Sequence, residues 1–227
     1  MSHHVFVTGG TGYLGYPLLA VLQARHHAVR ALVRQGAEGR LPAGIPFVHG
    51  DALDAASIER ALGNADTLVH LVGTPRPGPA KAAEFAWVDG PSALAALAAA
   101  QAAAVRHFVY VSVAQPAPVM HAYVAIRAAV EAAIHSAHAS TGLTATILRP
   151  WYVLGPGHRW PHALRPFYAI ARQLPATRDG AERLGLLTRG EMVAALVRVV
   201  EHPPLGVTTL DVPAIREAGA APMYVMS

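Results

Sequence analysis

The run Thr8-Gly9-Gly10-Thr11-Gly12-Tyr13-Leu14-Gly15 constrains this chain more than any other feature. It follows the apolar stretch His4-Val5-Phe6-Val7 and opens a segment, Leu14 to Arg25, in which Leu14, Leu18, Val21 and Leu22 share one helical face. Pro17 falls in the first turn, where proline is tolerated. A strand, a glycine turn and a helix in that order gather backbone N–H groups at the positive end of the helix. Glycines at 9, 12 and 15 let a bulky anion reach that backbone. A βαβ unit holds the pyrophosphate of a dinucleotide in this way. Gly9, Thr11, Gly12, Tyr13, Leu14 and Gly15 are therefore expected to form a phosphate-binding turn.

The chain continues the alternation. Strands are expected at Ala28–Val33, Phe47–Val48, Thr67–Val72, His107–Val113 and Leu143–Leu148. Helices are expected at Ala55–Leu62, from about Phe85 to Ala104, and from about Tyr123 to Ser140. Short apolar strands separated by crossovers of this length imply an α/β fold, a doubly wound parallel sheet with helices on both faces. After Gly155 the pattern changes to a loop carrying His158, Trp160 and His162. Helical segments at Phe167–Leu174 and Glu191–Glu201, a strand at Val207–Val212 and a loose end from Glu217 follow. We expect a Rossmann domain over 1–155 and a small C-terminal lobe, 156–227, packed on it without folding independently.

With 53% hydrophobic and 14% charged residues, 227 residues can bury a full core, and intrinsic disorder is excluded. No stretch is long and apolar enough for a membrane span, and no signal peptide is recognisable. The absence of cysteine removes disulfides and thiolate chemistry, and the expected compartment is cytoplasmic. The net charge of +4 comes from 17 arginines and one lysine, Lys81, scattered along the chain. Without a basic run or interleaved aromatics this speaks for a small anionic ligand or for general solubility, and against nucleic acid. His135 and His138 lie one turn apart but lack a third ligand, so no metal site is expected. A monomer and a homodimer are both compatible with the composition.

The carboxyl end of the second strand bears on which dinucleotide binds. An NAD site usually has an acid there, about 20 residues past the glycines, for the ribose 2′-hydroxyl. Here Arg34 stands nineteen residues after Gly15, and no acid appears before Glu38. A guanidinium fork suits a 2′-phosphate, so NADP(H) is the preferred cofactor and NAD(H) the alternative.

The glycine turn, Gly50-Asp51, Val88-Asp89-Gly90, Val109-Tyr110-Val111-Ser112 and Leu148-Arg149-Pro150-Trp151-Tyr152-Val153-Leu154-Gly155 together resemble the short-chain dehydrogenase/reductase superfamily, in its extended and atypical, NmrA-like branch. The resemblance covers residues 4–155 well and the remainder loosely. It implies that Asp51, with Ala52 beside it, meets the adenine edge and that Gly73 borders the adenosine. It also implies that Pro150 and Val153 line the nicotinamide. The family works with a serine, a tyrosine and a lysine, the last two spaced four apart on one helix face. Here Ser112 ends the fifth strand, Tyr123 follows eleven residues later, and Arg127 occupies the lysine's place. Arginine keeps the charge but cannot give up a proton at working pH.

Two functions follow from the resemblance. The first is an NADP(H)-binding oxidoreductase of reductase or epimerase type, acting through Ser112, Tyr123 and Arg127 on a small carbonyl, quinone or sugar-like substrate. The second is a catalytically weak or inactive NAD(P)(H)-binding sensor or assembly protein. The arginine at 127 motivates the second.

Overall fold

Successive residues of a strand leave opposite faces of a sheet, and apolar residues at every position then demand cover on both sides. The computed structural model, which describes residues 2–74, 78–117, 119–155 and 184–220, meets that demand. In β1 (His4–Thr8), Val5 and Val7 enter one core and Phe6 the other. In β4 (Thr67–His70), Leu68 and Val69 divide in the same way. In β5 (His107–Val111), Val109 faces the first core while Phe108 and Tyr110 face the second.

The sheet also contains β2 (Ala28–Val33), β3 (Phe47–His49), β6 (Thr144–Leu148) and β9 (Val207–Leu210). Its order is β3-β2-β1-β4-β5-β6-β9, and every pairing is parallel. The first core lies under α1 (Gly15–Ala24), α6 (Arg189–Glu201) and α7 (Val212–Ala220). The second lies under α2 (Ala55–Leu62), α4 (Gly90–Ala102) and α5 (His121–Thr141). The chain winds outward from β1 to β3, then returns to β4 on the other side of β1. The crevice at the carboxyl ends of β1 and β4 is thus the switch point at which such sheets bind ligands.

Three local features differ from the sequence reading. The helix expected from about Phe85 begins earlier, at α3 (Ala82–Glu84), and passes through a π-turn, Phe85–Asp89, into α4. Wider turns of this kind recur at functional sites, and this one leaves Phe85 and Asp89 fully buried. Two short strands were not foreseen: β7 (Tyr152–Leu154) and β8 (Leu186–Thr188) pair in parallel as a separate ladder. The last strand stops at Leu210. Asp211 then caps a helix by accepting from the Ala214 N–H at 3.1 Å, and Pro213, which has no N–H to offer a sheet, fits that first turn. Val212 and Ile215 of α7 are fully buried, and the helix runs on through Glu217 to Ala220, so the first residues of the expected loose end are helical. The described chain after 155 therefore shares both the main sheet, through β9, and the first core, through α6 and α7. His158, Trp160, His162 and the expected helix 167–174 lie outside the described residues.

Candidate active site

The glycine turn is built by contacts that leave no room for side chains. Gly9 has φ +78°, and a Cβ there would sit 2.7 Å from the Leu71 backbone of the neighbouring strand's exit. A Cβ on Gly15 would drive into the Gly9 carbonyl and lie 2.7 Å from the Gly10 Cα. Gly12 is different. It is exposed, its N–H donates to the Gly9 carbonyl at 3.0 Å, and beside it there is open space apart from that one oxygen. The first turn of α1 has neither a capping side chain nor an acidic residue. An exposed, uncapped helix start beside a bare backbone fits a phosphate group. Tyr13 leans away from this turn, packed against Gly155, with the Arg189 guanidinium 5.3 Å from its ring centroid.

The remaining cofactor candidates also stand at carboxyl ends of strands. Arg34 is exposed just beyond β2. Asp51 is exposed after β3, where its carboxylate accepts from the Leu53 N–H at 2.9 Å and so shapes the turn, with Ala52 inside it. Gly73 follows β4. Buried Pro150 follows β6, where its carbonyl accepts from the Ala114 N–H, and Val153 lies in β7.

Tyr123 and Arg127 do meet on one face of α5, as their spacing requires. The Arg127 guanidinium lies 4.9 Å from the Tyr123 ring centroid and 5.5 Å from that of Tyr110. Phe85 closes the other side of Tyr123, 4.7 Å between ring centres. Arg127 is only 6% exposed, and both its terminal nitrogens are engaged, while the buried Nε has no partner. Nη1 donates to the Val111 carbonyl at 2.7 Å and to the Tyr110 hydroxyl at 3.3 Å, while Nη2 is paired with the Asp89 carboxylate. The other oxygen of Asp89 accepts from the Thr74 N–H at 2.9 Å and the Thr74 hydroxyl at 2.6 Å. Gly73 has to be bare here: a Cβ would lie 2.9 Å from Arg127 Nη2 and 3.0 Å from Asp89 Oδ1.

Ser112 is elsewhere engaged. Its hydroxyl donates to the buried Glu131 carboxylate, which also accepts from Gln115 Nε2 at 2.8 Å and from the Arg149 guanidinium. The structure thus brings Tyr123 and Arg127 together and turns the Ser112 hydroxyl toward a different partner. Asp89 and Glu131 were not singled out as site residues in the sequence. An acid at each of two positions in otherwise apolar helical segments was the available signal.

Burial sets the protonation of this cluster. It pushes the Tyr123 phenol above its ordinary value, against the lowering pull of the Arg127 charge. It pushes Tyr110 up to about 12, again against Arg127. His70, whose Nδ1 is 2.9 Å from the Thr8 hydroxyl, is held down at about 3 by burial first and by Arg127 second. Burial opposes the Arg127 cation, but Tyr123, Tyr110 and Asp89 outweigh it, so the guanidinium stays charged.

A parallel sheet with helices on both faces and a bare glycine turn at its switch point defines a Rossmann-type fold. The sequence profile of the NAD dependent epimerase/dehydratase family matches residues 5–211, and the chain belongs to that family. It is an NAD(P)-binding, oxidoreductase-like member of the short-chain dehydrogenase/reductase superfamily. Over 89% of its length it is 31% identical to a 3-diazoavenalumate denitrifying reductase from a Streptomyces species, of which it spans 73%. Over 91% of its length it is 29% identical to a ceramide reductase of Caulobacter vibrioides, of which it spans 64%. In fold it is similar to the UDP-glucose 4-epimerase of Brucella ovis in complex with NAD. That match has a TM-score of 0.72 at 16% identity and covers 94% of this chain and 81% of the epimerase. Among the described residues no helix is long and apolar enough to cross a membrane.

Proposed function

We propose that the protein is an NADP(H)-preferring reductase of a small reactive carbonyl, quinone or sugar-like substrate, with Tyr123 as its proton donor. The observation that carries this reading is the pairing of a half-buried, protonated phenol with a fixed guanidinium beside the switch-point crevice. The glycine turn 9–15 and Arg34 would hold the dinucleotide, with Asp51 and Ala52 at the adenine, Gly73 bordering the adenosine, and Pro150 and Val153 toward the nicotinamide. Bound there, the cofactor supplies a hydride.

The protein's own part is to deliver a proton. Arg127 carries donors only and spends its Nη atoms on Val111, Tyr110 and Asp89, so it cannot take the phenol's proton and the Tyr123 O–H remains available to a substrate oxygen. Reduction consumes a proton, so a phenol that holds its proton at neutral pH suits that direction. Alcohol oxidation needs the phenolate, which burial suppresses. Ser112, bonded to Glu131, serves in this reading as a support for the β5 exit and Tyr123 as the donor. The names of the similar reductases support the reductive direction.

The test is NADPH oxidation against a panel of carbonyls and quinones, with the wild type and Tyr123→Phe. Turnover that falls about 10²-fold in Tyr123→Phe is the expected result, the scale of losing a general acid. Turnover unchanged by Tyr123→Phe overturns the site assignment. The commitments of Ser112 to Glu131 and of Arg127 to Asp89 favour a second reading, a nucleotide-binding sensor. Tight NADPH binding with no turnover of any substrate would select it.

A further inference from the structure

The Arg127 guanidinium sits where the resembling family carries a lysine, but it does not sit there alone. It is sealed from solvent, 7% exposed at the side chain, against an Asp89 side chain that is 0% exposed. We propose that Asp89 is a positioning residue for Tyr123: it fixes the Arg127 guanidinium between Tyr110 and Tyr123 and cancels its charge there. This rests on the reading of Tyr123 as the proton donor.

The geometry gives Asp89 two jobs. One carboxylate oxygen holds Arg127, and the other holds Thr74 by its N–H and its hydroxyl, so the exit of β4 and the middle of α5 are tied through one side chain. The guanidinium is left only one orientation. Its Nη1 must reach the Val111 carbonyl and the Tyr110 hydroxyl, and its central carbon then lies over the Tyr123 ring, 4.9 Å from the ring centroid. Asp89 also lies within electrostatic reach of the phenol and opposes Arg127.

The groups facing Tyr123 can be named element by element. They are Arg127 on α5, Asp89 and the uncharged Phe85 from the π-turn, and Tyr110 from β5. His70 on β4 stacks against Tyr110, with 6.2 Å between the rings, and is neutral. The charges near the phenol therefore sum to zero while Asp89 is present, and to +1 without it. A lone cation would draw the proton off Tyr123, whereas a neutral pair leaves burial in control. Asp89 thus maintains Tyr123 as a donor, and its loss shifts the residue toward acting as a base.

The test needs neither cofactor nor turnover. Ionisation of Tyr123 is read from the 295 nm absorbance against pH, as the difference between each protein and its Tyr123→Phe counterpart. Asp89→Asn should move Tyr123 ionisation to lower pH by about one unit or more, tenfold in the tyrosinate ratio. Arg127→Gln should move it the opposite way. The double variant Asp89→Asn/Arg127→Gln should return it near the wild-type value and melt above either single variant, because no lone buried charge remains. Should Asp89→Asn fail to fold, the comparison of Arg127→Gln with the double variant decides. If Tyr123 titrates identically in those two, or if the stability losses simply add, Asp89 is only a structural side chain and the proposal falls. Absence of NADPH binding or turnover would refute the reductase reading instead and leaves these titrations unchanged.

Discussion

Replacing Arg127 with lysine restores the residue type of the resembling family, yet it should weaken this protein. Arg127 reaches three acceptors from two nitrogens: the Val111 carbonyl, the Tyr110 hydroxyl and the Asp89 carboxylate. Lysine presents its donors from a single atom and cannot span them. The charge and the contact with Asp89 survive, so no buried carboxylate is stranded. What is lost is a charge-assisted bond to Val111 and the longer bond to Tyr110. The first is worth about 1.5–3 kcal/mol and the second about 0.5–1.5 kcal/mol. The expected loss is about 3 kcal/mol, or roughly 6–12 °C in melting temperature for a chain of this size. Urea titration at pH 7.5, followed by circular dichroism, measures it. Arg127→Met provides the scale, because it leaves Asp89 buried without its counter-charge and should cost about 3–5 kcal/mol. If Arg127→Lys is as stable as wild type, the three-acceptor account of this side chain is wrong.

Three further outcomes follow from the same geometry. Gly12→Val should leave the protein folded, because its Cβ meets only the Gly9 carbonyl, at 3.1 Å, but should abolish NADPH binding in calorimetry; unchanged affinity would remove the phosphate turn from its assigned role. NADPH should bind on the order of tenfold tighter than NADH, and Arg34→Ala should erase most of that difference; equal affinities in the wild type would make Arg34 a surface charge only. His70 is neutral in the fold down to about pH 3, whereas an unfolded histidine takes up its proton near 6.5. The unfolded state therefore binds more protons between those values, and stability falls as pH drops from about 6.5 toward 3. His70→Gln should flatten that slope by up to about 1.4 kcal/mol per pH unit, and an unaltered slope would show that His70 is not the group responsible.

The main sheet was legible because its signals are long and redundant. Glycines 9, 12 and 15 fix a strand on one side and a helix on the other, and apolar runs such as Thr67–Val72 mark strands covered on both faces. β7 and β8 were not legible. Each has three residues, too few for a period, and Leu154 finds its partner Thr188 only through tertiary structure. α7 was missed because Val207 to Val212 reads as one apolar strand, while Asp211 and Pro213 redirect the backbone after Leu210. In the site, the spacing of Tyr123 and Arg127 predicted a shared face and the structure shows one. The acids around them were harder. Glu131 stands four residues after Arg127, the spacing of a helical ion pair, yet it pairs with Arg149 while Arg127 takes Asp89. Sequence spacing names the pairs a helix alone would form, but here the neighbouring strands and the π-turn supply closer partners.

The β7–β8 ladder works as a clasp between two stretches distant in sequence. Its parallel register sets Tyr152 opposite Leu186 and Leu154 opposite Thr188. Leu154 and Leu187 are buried, and Thr188 at the end of the ladder is also the cap of α6. The exit of β6 is thereby handed straight to the first turn of a helix of the first core. Loss of these three pairings would loosen the β6 exit and the start of α6 together, so neither can shift without the other.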